Sequence, residues 1–252
     1  MNDSLTLKVS VCLATYNGEK YLQRQIETIL CQLGPDDELV ISDDGSTDKT
    51  LSVIRSFRDE RIKLFSGKRI GGVVKNFEHS LLHARGDIIL LCDQDDVWLP
   101  NKVSLVRNCF AGQKGTIALV SLNGHIVDVN ESPLGETIFE RVGVGPGLLK
   151  NVYDNTYVGA TLAFTRELLD VALPMPKRLP MHDMWLGLLA ELLGEVSFVE
   201  EPTILYRRHG ENATDFRVRF RPWLQIRRRV FLVWALGVRC LSWRLCSRCE
   251  SV

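Results

Sequence analysis

Four short apolar runs in the first 92 residues, each followed by a stretch of different periodicity, restrict this chain more than any other feature. Residues 8–14, 38–42, 61–65 and 87–92 read as buried strands, the last (DIILLC) apolar on both faces. After Glu19, the residues Leu22, Ile26, Ile29, Leu30 and Leu33 recur at helical spacing and stop at Gly34-Pro35. Leu51, Ile54 and Phe57 mark a second helix, and residues 73–84 a third. Such alternation predicts right-handed βαβ crossovers and an α/β fold, with a mostly parallel central sheet flanked by helices. The order continues with a helix over 101–110, a strand over 117–123, a strand over 158–164 and a helix over 182–193 (HDMWLGLLAELL). Residues 124–156 mix Gly, Pro and charge without a clear period and read as a loop-rich insertion near a substrate cleft.

The formal net charge of zero conceals two unlike parts. Residues 1–215 hold 22 Lys and Arg against 30 Asp and Glu, whereas residues 216–249 hold nine Arg and no acid. The chain therefore divides into a mildly acidic body, 1–215, and a basic amphipathic helical tail, 216–252. The longest uncharged apolar stretch of the tail, residues 230–238, is too short for the roughly 20 residues of a membrane span. Residues 217–248 suit either peripheral contact with an anionic membrane or a helix packed on the body. No nucleic-acid motif accompanies the charge, so nucleic acid is not an expected partner. Seven cysteines without dense spacing, and no secretory pattern at the start, point to reduced thiols and a cytoplasmic location.

Polar clusters follow the strands. Thr15, Tyr16 and Asn17 come after the first, Asp43 and Asp44 after the second, and Asp93-Gln94-Asp95-Asp96 after the fourth. In an open parallel sheet ligands bind at those carboxyl ends. Any single cluster could be turn chemistry or a helix cap. If residues 93–95 stay extended, Asp93 and Asp95 point the same way, and two charges about 4 Å apart repel by roughly 4 kcal/mol at an effective dielectric near 20. That pair calls for a cation or a proton, and all-oxygen donors favour Mg²⁺ or Mn²⁺ shared with ligand phosphates.

The runs VSVCLATYNGEKYLQRQI, ELVISDDGSTDKT and GDIILLCDQDDVWLPNK, followed by MHDMWLGLLA and YRRHGENAT, resemble the nucleotide-diphospho-sugar glycosyltransferases of family 2. These share the GT-A fold, and the form of the motifs is most similar to the rhamnosyltransferase branch. The resemblance implies that Thr15, Tyr16, Asn17, Asp43 and Asp44 hold the nucleoside. It maps the DxD motif to Asp93 and Asp95, with Asp95 on the metal ion and Asp93 reaching ribose or metal-bound water. It further implies that Asp183 is the base of an inverting transfer, in competition with a role as a helix cap. Arg207, Arg208 and His209 would lie on a loop over the diphosphate, His209 as a further metal ligand. The implied reaction moves a sugar, L-rhamnose from dTDP-L-rhamnose, to a saccharide or lipid-linked saccharide at the inner face of the cell membrane. A non-catalytic sugar-nucleotide-binding module and a nucleotidyl- or phosphotransferase are the competing classes. Trp98 and Trp185 are expected in the core.

Overall fold

The structure, a computed structural model, describes residues 7–209 and the backbone of 222–249, with side chains from 226 to 246. Its first half follows the alternation read from the sequence. β1 (Val9–Thr15), α1 (Leu22–Leu30), β2 (Glu38–Asp43), α2 (Thr50–Ser56), β3 (Ile62–Ser66), α3 (Val73–His83) and β4 (Ile88–Asp93) come in that order. β1 and β4 are buried on both faces, which is why they read as unbroken apolar runs. α1 turns Leu22, Ile26 and Ile29 inward, all fully buried, so the spacing of its apolar residues sets which face meets the sheet.

β5 (Val97–Trp98), α4 (Lys102–Cys109), β6 (Ala118–Val127) and β7 (Pro133–Thr137) follow. The chain then forms α5 (Ile138–Val142), α6 (Leu148–Tyr153), a 3-10 turn (Gly159–Thr161), β8 (Leu162–Thr165), α7 (Arg166–Ala172), α8 (His182–Leu193), β9 (Glu195–Arg207) and α9 (Pro222–Cys249). The sheet runs β3-β2-β1-β4-β8-β6-β9-β5, with β7 beside β6. β1, β2, β3, β4, β6 and β9 share one direction, and β5, β7 and β8 oppose it. One core joins Val9, Val11 and Leu13 to α1 and α4. The other joins Cys12, Ile89 and Leu91 to Phe77, Trp185, Leu189 and Leu236. Trp98 and Trp185 are buried in these cores as expected, and the Trp185 indole donates to the Ala172 carbonyl at 3.0 Å.

From β1 the chain winds outward through β2 and β3, then returns to place β4 on the other side of β1. The carboxyl ends of β1 and β4 are therefore a topological switch point, the place where open parallel sheets bind their ligands. Thr15 closes β1 and Asp93 closes β4.

Residues 124–156 are more ordered than the loop-rich insertion expected of them. β6 runs on to Val127, and α5 starts at a capping box in which Thr137 accepts from the Glu140 N–H while Glu140 accepts from the Thr137 N–H. Gly124 conceals the strand. A Cβ there would come 2.8 Å from the Ile204 carbonyl oxygen, so the strand needs a residue that reads as a loop. Similarly, only the second half of 158–164 is strand, because the 3-10 turn occupies Gly159–Thr161. β9 and α7 carry no clear period in the sequence; Pro202 falls within β9 where its register against β6 shifts. Residues 217–221 of the expected tail, and the boundary near 215, lie outside the described residues.

Gly194, at the end of α8, turns the chain into β9 so tightly that a Cβ would sit 1.9 Å from the Ile117 carbonyl oxygen. Backbone cannot yield as a flexible side chain can. Gly194→Ala is expected to lower the unfolding free energy by at least about 2 kcal/mol, read from the denaturant midpoint. An unchanged midpoint would mean that this crossing is slack.

Candidate active site

The first loop is stitched to the second. Asn17, in the left-handed region at φ 49°, accepts from the Thr47 N–H at 2.9 Å, while its own N–H donates to Ser46 Oγ at 2.9 Å. Tyr16 is partly exposed, and its backbone pairs with the Gln94 side-chain amide in both directions, at 2.9 and 3.1 Å. The Arg69 guanidinium lies 4.7 Å from the centre of the Tyr16 ring.

Asp43 and Asp44 differ in what they can offer a ligand. Asp43 accepts from the N–H groups of Gly45 and Ser46 and from the hydroxyls of Ser46 and Thr15. Four donors fill a carboxylate. Asp43 and Thr15 thus organise the turn at the ends of β1 and β2. Asp44 accepts from three successive N–H groups, those of Ile70, Gly71 and Gly72, at 2.5, 2.8 and 3.0 Å. Burial works to raise its carboxyl, but these donors and the Arg69 guanidinium outweigh burial and hold it below the usual carboxylate value.

At the end of β4 the acids separate into distinct roles. Burial, then the charges of Asp95 and Asp183, lift Asp93 to about 7. Asp95 Oδ2 meets His209 Nε2 at 2.8 Å, and the His209 ring stacks on Tyr21 at 5.0 Å. Asp96 is buried and accepts from the Arg207 N–H at 3.1 Å through one oxygen. Its other oxygen has no hydrogen-bond partner, and burial followed by the charges of Asp95 and Asp93 pushes its carboxyl well up.

Arg207 is not on a loop over the diphosphate. It is the last residue of β9 and 3% exposed. Its guanidinium donates to the carbonyls of Asp95 (2.9 Å) and Val129 (2.8 Å) and to Glu131 (3.2 Å), and lies over the Tyr21 ring. Buried among carbonyl acceptors, it braces the acidic turn. Arg208 and His209 follow the strand, and the Arg208 N–H donates to Val127 at 2.9 Å.

Asp183 lies in the first turn of α8, two residues after the N-cap Met181. Its Oδ1 accepts from the Met184 N–H (2.6 Å) and the Asn155 side-chain amide (3.1 Å). Burial raises its carboxyl to about 6 against those hydrogen bonds and one from the Gly159 N–H. Beside it, His182 stacks on Phe77 at 4.1 Å, and burial drives its imidazole down to about 3, so it is neutral at pH 7.

Lys102 was not singled out by its sequence context. It is fully buried, donates to the Ala160 carbonyl at 2.8 Å and lies 4.4 Å from the Trp98 ring centre. Burial brings its ammonium down to about 8, opposed by Asp96 and Asp93 among its neighbours. The signal was available: a lysine beside Val103 on the inward face of a helix needs acids beneath it. Asn155 and Gln94 were also missed, since a lone amide in a loop carries no pattern.

The geometry thus gathers Asp93, Asp95, Asp183 and His209 at the switch point. Among the described residues, no three or more His, Cys, Asp or Glu form a metal-holding group. Asp93 therefore does not complete a triad with Asp95 and His209. Those two remain, and one or two protein ligands are what a Mg²⁺ site shared with phosphates uses.

The profile of Glycosyl transferase family 2 matches residues 10–169, more than half of the chain. The chain belongs to that family. An uncharacterized glycosyltransferase of Nostoc sp. is 29% identical over 82% of this chain and 66% of its own length. The Escherichia coli UDP-Glc:alpha-D-GlcNAc-diphosphoundecaprenol beta-1,3-glucosyltransferase WfgD is 30% identical over 57% of this chain and 55% of its own. The dTDP-rhamnosyl transferase RfbG of Shigella flexneri is 26% identical over 83% and 75%. Among solved structures, S. aureus TarS 1-349 in complex with UDP-GlcNAc superposes with a TM-score of 0.68 at 20% identity, covering 90% of this chain and 66% of that one. The fold is accordingly GT-A, and the chain spans about half to two thirds of the length of WfgD and the Nostoc relative.

Proposed function

We propose that this chain is an inverting glycosyltransferase that moves a sugar from a nucleoside diphosphate to a hydroxyl of a saccharide or lipid-linked saccharide. The observation that carries the reading is the convergence of Asp183, raised to about 6, with Asp93 and Asp95 at the rim of the parallel strands. The acceptor oxygen bonds to the anomeric carbon as the bond from that carbon to the diphosphate breaks, and Asp183 takes the acceptor's proton. A base with a pKa just below neutrality is ionised at pH 7 yet still holds a proton well, the compromise that general base catalysis favours. A single carboxylate suffices where the leaving group needs charge stabilisation and no proton. A purely binding module would have no use for a carboxylate buried at this cost.

The pair of Asp95 and His209 fits a divalent cation: an oxygen and an imidazole nitrogen converge at 2.8 Å beside a carboxyl that burial and like charge have raised. Mg²⁺ or Mn²⁺ held there would neutralise the diphosphate as it leaves. Asp44, Tyr16 and Asn17 border the space for the nucleoside. L-rhamnose from dTDP-L-rhamnose is the donor we favour, because RfbG aligns over 83% of this chain; glucose is the competing donor, carried by WfgD. The setting is surface polysaccharide synthesis at the inner face of the cell membrane. No helix among the described residues is long and apolar enough to cross a membrane.

A thermal-shift panel tests the reading, since a ligand that binds only the folded state stabilises it in proportion to occupancy. Nucleoside diphosphates and their sugars should raise the melting temperature in Mn²⁺ and much less in chelator, dTDP-L-rhamnose above UDP-glucose. No shift with any nucleotide would remove the proposal.

A further inference from the structure

α9 has two unlike faces. Toward the body it buries Leu232, Ala235 and Leu236, packing on α8 and α6. Arg239, on the same side, donates to the carbonyls of Val171 (2.7 Å), Leu173 (2.6 Å) and Pro174 (2.5 Å). The helix is therefore docked on the body. The opposite face carries Ile226, Val230, Trp234, Val238, Leu241 and Leu245, each between 45 and 66% exposed. At 3.6 residues per turn these six fall within an arc of about 120°, along a stripe roughly 30 Å long. On neighbouring α6, Leu149 and Tyr153 are 85 and 72% exposed, and Arg229 of α9 lies over the Tyr153 ring at 4.7 Å.

A continuous apolar stripe of this length on a soluble domain marks a surface that meets something apolar. We infer that the outer face of α9, with Leu149 and Tyr153 beside it, docks on an anionic phospholipid surface, lying in the headgroup layer without crossing it. Charge selects the occupant. Residues 222–249 contain no Asp or Glu; of their Arg, Arg229 and Arg239 turn to the body, whereas Arg227 and Arg244 stand near the two ends of the stripe. Such a face complements anionic headgroups. A second copy of the same face would bring arginine against arginine with no acid to pair them, which disfavours self-association. The inference deepens the transferase reading. α9 packs on α8, whose first turn bears Asp183, so a docked α9 holds the proposed base's helix about 10 Å from the lipid layer, where a lipid-linked acceptor would be presented.

The full chain should co-sediment with vesicles of phosphatidylcholine and phosphatidylglycerol (3:1) and far less with phosphatidylcholine alone. Val230→Asp/Leu241→Asp, on the exposed face, should reduce sedimentation at least about tenfold while leaving the melting temperature and nucleoside diphosphate binding unchanged. Arg227→Glu/Arg244→Glu, which keeps the apolar stripe, should lose the preference for anionic vesicles. Three results would each overturn the inference: wild type that binds neither vesicle, equal sedimentation of Val230→Asp/Leu241→Asp and wild type, or a concentration-dependent dimer broken by that variant without lipid binding. Because neither vesicle nor sedimentation assay contains sugar nucleotide, loss of nucleotide binding with lipid binding intact would count against the transferase reading alone.

Discussion

Asp183→Asn should lower turnover by about 10² or more while leaving donor affinity close to that of the wild type. The exchange preserves volume and keeps an oxygen to accept from the Met184 N–H and the Asn155 amide. What disappears is the ability to take a proton. The wild-type rate should fall as pH drops through about 6, because protonation removes the base, and the residual rate of the variant should lack that limb. Stability should move the other way. The folded-state value, about 6, lies above the ordinary 3.8, so the folded protein holds this proton more tightly than the unfolded chain. The contribution, about 3 kcal/mol in all at 1.36 kcal/mol per pKa unit, is fully present below 3.8 and is lost as pH rises through 6. Asp183→Asn should therefore be more stable than wild type at pH 8 and gain little at pH 4, measured by denaturant unfolding at both. Full turnover in the variant would leave Asp183 with a structural role only.

Asp95→Asn should reduce nucleoside diphosphate affinity in Mn²⁺ to the level that wild type shows in chelator, a fall of at least about tenfold by calorimetry. Asn keeps the size of the side chain but removes the negative charge that a cation needs beside His209. The backbone carbonyl of Asp95, which Arg207 grips at 2.9 Å, is untouched, so the turn should hold its shape. Equal affinity in variant and wild type, with Mn²⁺ present, would remove the metal role of Asp95.

The half of the molecule up to α4 was legible because β1, β2 and β4 are buried on both faces and α1 on one, so burial imprints a pattern on the sequence. From β6 onward, close backbone approaches set the sequence. Gly124 fits under Ile204 and Gly194 under Ile117, and these glycines read as breaks where the chain in fact runs on or turns sharply. In the site, Asp93, Asp95 and Asp183 were legible from their motifs and the strand ends. Their environments were not, because those come from residues far away in the chain. His209 reaches Asp95 only because β9 pairs with β6 and β5 and delivers it there. The same pairing buries Arg207 against the Val129 carbonyl. The basic tail read as either packed or lipid-facing; one face of the helix packs on α8, and the other exposes a row of apolar side chains.

A co-crystal structure with Mn²⁺ and a nucleoside diphosphate, with anomalous data at the manganese edge, tests the central claim most directly. The account predicts one strong anomalous peak within bonding distance of Asp95 Oδ2 and His209 Nε2, shared with the diphosphate oxygens, and the nucleoside beside Tyr16 and Asp44. A nucleotide bound elsewhere, or manganese with no contact to Asp95, would contradict it.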